Sequence, residues 1–503
     1  MHADYHAILR DAAERWPDRV ALASGEEELT YAEVHDAAER LAEALSARGI
    51  GPGARVALCL GNEPAWVFAF FALCRLRASA VMLSTAWRER EIEHALAVTR
   101  PVAVVAGPAQ AEVLEAAGRP ELAVLSSGSR PGWTGLPDLL DGPRPVVPDD
   151  VRRLDPSELE LALPFSSGTT GMPKAVRHTH RSLLVATQQW RASLDVGPDD
   201  RLQALTPLAH ILGIVNVGAT FLGGAWIRLF ARFSPRSMVD SFEADRITIG
   251  MTVAPIAAAL DAMADLDQRD LGSLRYLNWS ATPVNEELAA RVTARTGVGW
   301  VTAYGTTEVP VLAAHPVDHG RDARLDTVGL PPEGVEVEAR DPATGAFLPR
   351  GETGELVARS PAAMAGYLPE PEVSPFVDGG WYRTGDIGHV EPEGWVVVTD
   401  RLKDLIKVSG FQVSPVEIEN VLMMSPLVAD CAVYGVSDER RGEVPCAAVV
   451  PADGWTPDAA AILDWLEPQL SSYKALREVV FVDAIPRTPS GKIQRRRLTG
   501  TDR

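Results

Sequence analysis

Helix-spaced and strand-like runs alternate through the first 160 residues, and this alternation restricts the fold more than any other feature of the chain. Thr30-Tyr31-Ala32-Glu33 reads as a capping box: the threonine hydroxyl takes an orphan amide and the glutamate reaches back. Apolar residues then recur at Val34, Ala37, Ala38, Leu41, Ala42 and Leu45, one helix face, and Gly49 is placed to end it. The apolar run 56–60 reads as a strand, a helical stretch opens at Pro64, and a strand-like run at 102–106 follows the helical REREIEHAL. Alternation of this kind predicts parallel sheets covered by helices.

The pattern changes downstream. The Pro/Gly-rich stretch 128–149 reads as a surface connection, and no fixed-period repeat is present. After about residue 330, turns at 351–355 and 391–394 separate short β runs, one of them at 395–398. From Asp400 the pattern predicts a smaller α+β unit. Pro415 opens the helix EIENVLMM, strands follow at 431–436 and 447–450, and a helix at about 457–470. The main break is placed at 401–403, giving units 1–402 and 403–503.

The 503 residues, 46 % of them hydrophobic, suffice for a large core and exclude a disordered chain. Lys plus Arg number 48 against 68 Asp plus Glu, a net charge of −20 that argues against a general nucleic-acid binder. Local anion binding stays open, because it depends on a few residues and backbone dipoles. Cys59, Cys74, Cys431 and Cys446 are widely spaced, with no CxxC and no Cys/His ligand cluster. That spacing fits a reducing cytosol and argues against a disulfide framework or structural zinc. The N-terminus lacks an apolar signal core, and the most apolar window, 64–83, is interrupted by Arg75 and Arg77. A cytoplasmic protein without a membrane span is expected.

The strongest local signal is Ser166-Ser167-Gly168-Thr169-Thr170-Gly171-Met172-Pro173-Lys174, after the apolar run 161–165 and before a helix expected near Thr179. Glycines let amides turn toward an anion, hydroxyls donate, and one lysine adds charge. The spacing is not that of a Walker loop. Alone, the string also fits a plain Ser/Gly/Thr turn, the less favoured of the two readings.

Four further motifs follow in order: Tyr304-Gly305-Thr306-Thr307-Glu308, Trp381-Tyr382-Arg383-Thr384-Gly385-Asp386, Asp400-Arg401-Leu402-Lys403-Asp404 and Pro489-Ser490-Gly491-Lys492. Together the five resemble the adenylate-forming superfamily of acyl-CoA synthetases, nonribosomal adenylation domains and luciferases, along nearly the whole chain. The resemblance implies an α/β and α+β architecture, a large N-terminal domain of packed sheets and helices with a small mobile C-terminal α+β domain. It implies an acyl-CoA ligase: a carboxylic acid attacks the α-phosphate of ATP, then a thiol displaces AMP. ATP, Mg2+ and coenzyme A are the implied cofactors. A carrier protein in place of coenzyme A, an enzyme stopping at acyl-AMP, one confined to the thioester half-reaction, a catalytically silent binding protein and a homodimer remain alternatives within it.

The resemblance also assigns roles. Ser166, Ser167, Gly168, Thr169, Thr170, Gly171 and Lys174 would hold phosphates, and Glu308, with Thr169, would hold the metal. Ser280, Ala281, Thr282, Tyr304, Gly305, Thr306 and Thr307 would surround the nucleotide, with Tyr304 on adenine. Asp386 would take the ribose hydroxyls and Arg401 would assist. Lys492 would offset charge on the reacting carboxylate and α-phosphate. Ala209, His210, Asn216, Val217, Val309 and Pro310 would line the acyl pocket. Lys403 would be the hinge, and Ser409, Gly410 and Phe411 would border the pantetheine arm. His178 and His180 have no such support and read as structural, and Trp190 as a core aromatic.

Three departures stand out. Ala175 replaces the glycine usual after the loop lysine. Ala209 replaces an aromatic residue before His210, which frees volume for a bulky or polycyclic acid. Trp279 and Ser280 in Asn278-Trp279-Ser280-Ala281-Thr282-Pro283 add bulk where the family has a small residue and glycine. The expectation from them is a narrowed adenine site or a reshaped pocket, with slow adenylation.

Overall fold

The computed structural model describes residues 4–143, 146–148, 151, 154–166, 172–231, 234–282, 284–317, 324–402, 404–408, 411–438, 440–452, 454–471, 474–488 and 492–499, with backbone alone at 411, 412 and 496. Its two largest sheets are mainly parallel, as the alternation requires. One has eight strands in the order Ala313–Ala314, Trp300–Tyr304, Tyr276–Ser280, Ile249–Thr252, Arg201–Ala204, Trp226–Leu229, Val20–Ser24 and Glu27–Thr30. The other has nine, running from Gly366–Leu368 through Lys174–Thr179, Glu160–Leu163, Ser79–Met82, Arg55–Cys59, Ala103–Ala106 and Leu122–Leu125 to Thr134–Gly135, with Phe165–Ser166 paired beside them.

Helices Tyr31–Ser46, Pro64–Leu76, His180–Leu194 and Ile211–Gly223 contribute to a core shared by both sheets. Tyr31, Trp66, Phe70, Phe71 and Phe221 fill it, Trp66 stacking on Phe70 and Phe71 on Phe221 at 5.0 and 5.7 Å. The strand Arg55–Cys59 shows why its run is continuously apolar. Val56 and Leu58 face this core while Ala57 and Cys59 face a second cluster on the opposite side. The capping box forms as read: Thr30 Oγ1 accepts from Glu33 N, and Glu33 Oε2 accepts from Thr30 N at 2.8 Å.

A third, antiparallel sheet holds Glu336–Arg340, Gly354–Arg359, Trp381–Val390, Phe376–Val377 and Val396–Arg401. The fourth lies in the C-terminal unit, with strands Phe411–Val413, Ile406–Val408, Gly442–Pro451, Val428–Asp438 and Glu478–Phe481 around helices Pro415–Met423 and Ala459–Leu466. The strand expected at 431–436 is longer, and the helix expected at 457–470 is shorter. The 128–149 stretch is more than a connection, since Thr134–Gly135 adds an edge strand and Leu136–Leu140 a short helix. Among the described residues, no helix is long and apolar enough to cross a membrane.

Candidate active site

A cleft of about 1090 Å³ runs between the large unit and the C-terminal unit. Ser166, Met172, Pro173 and Lys174 line it from one side, Thr306, Thr307 and Glu308 from another, and Ala209, His210, Arg401 and Lys492 complete the convergence. Lys174 sits there because its strand runs antiparallel to Phe165–Ser166, with Lys174 opposite Ser166. Ser167, Gly168, Thr169, Thr170 and Gly171 lie outside the described residues. The helix expected near Thr179 begins at His180 with Thr179 as its cap, one strand further on than the loop.

Glu308 is 7 % exposed. Tyr367 Oη donates to its Oε1 at 2.8 Å, and the Tyr367 ring lies 5.7 Å from Lys174 Nζ, so one phenol joins the loop lysine to the carboxylate. Burial and the Glu308 charge hold this phenol protonated. The backbone ahead of Glu308 doubles back tightly: Thr306 and Val309 exchange backbone and side-chain hydrogen bonds, and a Cβ on Gly305 would stand 2.0 Å from the Pro310 carbonyl oxygen. Glycine is therefore needed there. His178, fully buried, has Nδ1 on Ser182 Oγ and Nε2 on the Thr307 carbonyl at 2.8 Å, which ties this turn to the strand that carries Lys174. His180 accepts from the Tyr5 amide through Nδ1.

Asp386 is 3 % exposed and is gripped from two directions. Tyr304 Oη donates to Oδ2 at 2.5 Å, and Arg401 Nε lies 2.9 Å from Oδ1. The Asp386 charge raises the Arg401 pKa, and burial with the same charge raises that of Tyr304. Arg383 is paired to buried Glu355 at 2.8 Å beside them.

Lys492 enters from the C-terminal unit. The Thr488 amide donates to the Lys492 carbonyl at 2.8 Å and the Lys492 amide to Thr488 Oγ1 at 3.1 Å, two bonds that tie Lys492 to Thr488 at the cleft. His210 caps the helix Ile211–Gly223, its Nδ1 accepting from Leu212 N. Burial, and after it the Lys492 charge, push its pKa down to about 4. The ring at the cleft is neutral near pH 7.

Several expected wall residues lie elsewhere. Asn216 and Val217 are each 1 % exposed, and Asn216 Oδ1 accepts the Trp190 indole N–H at 2.6 Å, so both belong to the core and not to an acyl pocket. Val309 is fully buried among the third-sheet residues, and Pro310 is spent on covering Gly305. Trp279 does not narrow the cleft. The pleat sends Leu277 and Trp279 to one side of their strand, where Trp279 packs on Trp300 at 5.1 Å and donates to Thr282 Oγ1. Thr282 Oγ1 also accepts from the Ala254 amide, which commits that hydroxyl. Ser280, Ala281 and Thr282 are absent from the cleft lining. The Ser280 hydroxyl is buried without a hydrogen-bond partner, and Ala281 holds φ 63°, a strained setting for a residue with a Cβ. Lys403, Ser409 and Gly410, and the Phe411 side chain, lie outside the described residues.

Tyr367, Tyr382, Arg487, Gln494 and Arg497 also line the cleft and were not singled out from the sequence. Tyr382 stood inside a motif without a role. Tyr367 arrives on a three-residue strand paired to Ala175–Arg177, and nothing local in the sequence marks that pairing.

Residues 9–368 match the family model for AMP-binding enzymes, and residues 417–492 match that for the AMP-binding enzyme C-terminal domain. A 4-coumarate–CoA ligase of Solanum tuberosum is 32 % identical over 99 % of this chain and 93 % of its own length. A feruloyl-CoA synthase of Amycolatopsis is 35 % identical over 95 % of this chain and 94 % of its own. The crystal structure of ATP-bound MatB from Rhodopseudomonas palustris superposes with a TM-score of 0.90 at 28 % identity, covering 100 % of this chain and 99 % of that one.

Proposed function

The chain belongs to the AMP-binding enzyme family, and from that premise we infer that it converts a hydrophobic carboxylic acid to its coenzyme A thioester through an acyl-adenylate. The observation that carries this reading is the convergence of Lys174, Glu308, His210, Arg401 and Lys492 on one cleft. In the first step a carboxylate oxygen bonds to the α-phosphorus and pyrophosphate leaves. The acid is already ionised, so the step needs charge stabilisation and not a base. Lys492 supplies it at the reacting oxygens and Lys174 with its loop at the outer phosphates, while Asp386, oriented by Tyr304 and Arg401, accepts hydrogen bonds from the ribose hydroxyls. Glu308 offers the hard carboxylate oxygen that suits Mg2+, and Mg2+ would neutralise charge across the phosphates. In the second step sulfur bonds to the acyl carbon, the thiol proton passes to solvent, and AMP departs with the bonding electrons.

Rotation of a lid, residues 403–503, about Lys403 would withdraw Lys492 and bring Ser409, Gly410 and Phe411 to the pantetheine arm. The acid is an aromatic or arylpropenoic one. Two features support this: the relatives named for coumarate and ferulate, and Ala209, which stands half-buried on the cleft. The cytoplasm, with its ATP, coenzyme A and reduced thiols, suits a chain whose four cysteines are all buried and unpaired.

A panel of aromatic acids with Mg·ATP and coenzyme A tests this, with AMP, pyrophosphate and thioester followed separately. The reading expects AMP and thioester in equal amounts for at least one acid. Pyrophosphate without thioester would replace coenzyme A by a carrier protein or end the reaction at acyl-AMP. Thioester from synthetic acyl-AMP alone would leave only the second half-reaction. Nucleotide binding without any product would make the chain a binding protein.

A further inference from the structure

A second group of metal-ligating side chains lies outside the cleft. His35 and Glu39 stand one turn apart on the helix Tyr31–Ser46, and His6 is the residue before the helix Ala7–Arg15. The packing of these two helices brings His6 Nε2, His35 Nε2 and Glu39 Oε1 within 4.8 Å of one another. Glu39 Oε1 is 2.9 Å from His6 Nε2 and 4.0 Å from His35 Nε2. All three atoms are shut off from solvent, and their nearest polar neighbours are one another and Arg75, with Glu39 Oε1 on His6 Nε2 at 2.9 Å. The His6 side chain is 5 % exposed and that of Glu39 18 %.

Buried ionisable groups are costly unless paired or coordinated, and here one carboxylate oxygen faces two imidazoles at once. Arg75 bears on the arrangement from the adjoining helix. Its Nε lies 3.1 Å from Glu39 Oε1 but completes its hydrogen bond to Oε2, at 3.3 Å. That contact orients the carboxylate, and a metal on Oε1 requires Arg75 to keep its bond to Oε2 alone.

We propose that His6, His35 and Glu39 form a structural site for one transition-metal dication of the Zn2+ type, which clamps the N-terminal helix to the helix Tyr31–Ser46. Two imidazoles and a carboxylate suit Zn2+, Co2+ or Ni2+ better than Mg2+ or Ca2+, and water takes the fourth position. Bonds of about 2.0–2.2 Å to the metal place tetrahedral donors roughly 3.4 Å apart, so His6 and Glu39 part slightly from 2.9 Å while His35 closes on both. The site is independent of the ligase reading. It also reverses the expectation of no structural zinc, which came from inspecting cysteine and histidine runs. His6 lies too far along the chain from His35 and Glu39 for such a run to include it.

The test is a Co2+ titration of the untagged, chelator-treated full chain without nucleotide, read by visible absorption, with Zn2+ competition and a thermal melt. The proposal expects one Co2+ per chain with tetrahedral bands, displacement by Zn2+, and a rise in Tm of at least about 2 °C with saturating Zn2+. His35→Gln and Glu39→Gln, measured separately so that one misfolded variant does not decide the matter, should each weaken binding at least about tenfold. Both should leave Mg·ATP-dependent turnover unchanged. A wild-type chain that shows no saturable Co2+ binding overturns the proposal, as does affinity that survives both substitutions.

Discussion

On and just behind the large-unit wall of the cleft each useful carboxylate is already tied to its own frame, whereas the C-terminal wall is held by ion pairs within its own unit. Glu308 is fixed by Tyr367, and Asp386 by Tyr304 and Arg401, all from strands or loops of the large unit. Lys492 sits in a segment whose anchors are Arg487 on Asp430 at 2.8 Å and Arg495 on Glu419 at 2.7 Å. Burial raises the Glu419 pKa, and Arg495 opposes it. The rotation proposed for the C-terminal unit would therefore carry its lysine away without breaking these pairs. Preorganised oxygens on one side and a portable charge on the other suit a site that runs two reactions in turn.

The largest effect that could break this contrast is at the portable charge. Lys492→Ala should lower the adenylation rate by about 10²–10³-fold, the scale for removing one charge-stabilising donor. Thioester formation from synthetic acyl-AMP and coenzyme A should change by less than about threefold, because the proposed rotation withdraws the lysine from that step. Equal losses in both half-reactions would mean that the C-terminal wall is as fixed as the other. Single-turnover assays of the two steps make the comparison.

At the fixed wall the effect is smaller. Tyr367→Phe removes the donor to Glu308 and keeps the ring that faces Lys174. A hydrogen bond to a charged group is worth about 1.5–3 kcal/mol, so kcat should fall by about 10–100-fold. The apparent affinity for Mg2+ should shift in the same variant, since the carboxylate loses its orientation. A loss of stability with unchanged kcat would reduce Tyr367 to packing.

His210 belongs to one wall and feels the other, so its titration sharpens the comparison. With its native pKa pushed down to about 4 from the ordinary 6.5, the unfolded chain binds this proton first as pH falls. The stabilisation it contributes is complete above pH 6.5 and is lost as pH falls through about 4. Histidine NMR should show a ring that stays neutral across pH 5.5–8. In Lys492→Ala the pKa should rise only slightly, because burial is the larger cause. A return to 6.5 in that variant would make the lysine dominant and the two walls electrostatically one.

The sequence made the frame legible because periodicity and caps are local. The box at Thr30 and Glu33, the strand Arg55–Cys59 and the helix opening at Pro64 lie where the pattern puts them. The motif residues Lys174, Glu308 and Lys492 meet at one cleft. What stayed hidden depends on which side of an element faces out. Trp279 looked like an obstruction until the pleat turned it toward Trp300, and Asn216 looked like a pocket polar group until Trp190 claimed it. Tyr367 and the His6–His35–Glu39 group depend on long-range pairing, which no local spacing encodes.

The smallest expected effect tests the acyl end, where both walls meet a side chain that has lost its ring. Ala209 is half-buried on the cleft beside His210, and nothing in its own chemistry binds an acid. Its contribution is volume. Ala209→Phe refills that space, and overpacking at the low end of its usual cost, about 1 kcal/mol, corresponds to roughly a fivefold change. KM for a hydroxycinnamate-sized acid should rise by about that factor with kcat nearly unchanged, while KM for a benzoate-sized acid should hold or fall. Opposite movements of the two KM values would assign size selection to this position. Parallel movements would mean that residue 209 acts on the phosphate end through His210, and that the acyl and nucleotide ends are not separable.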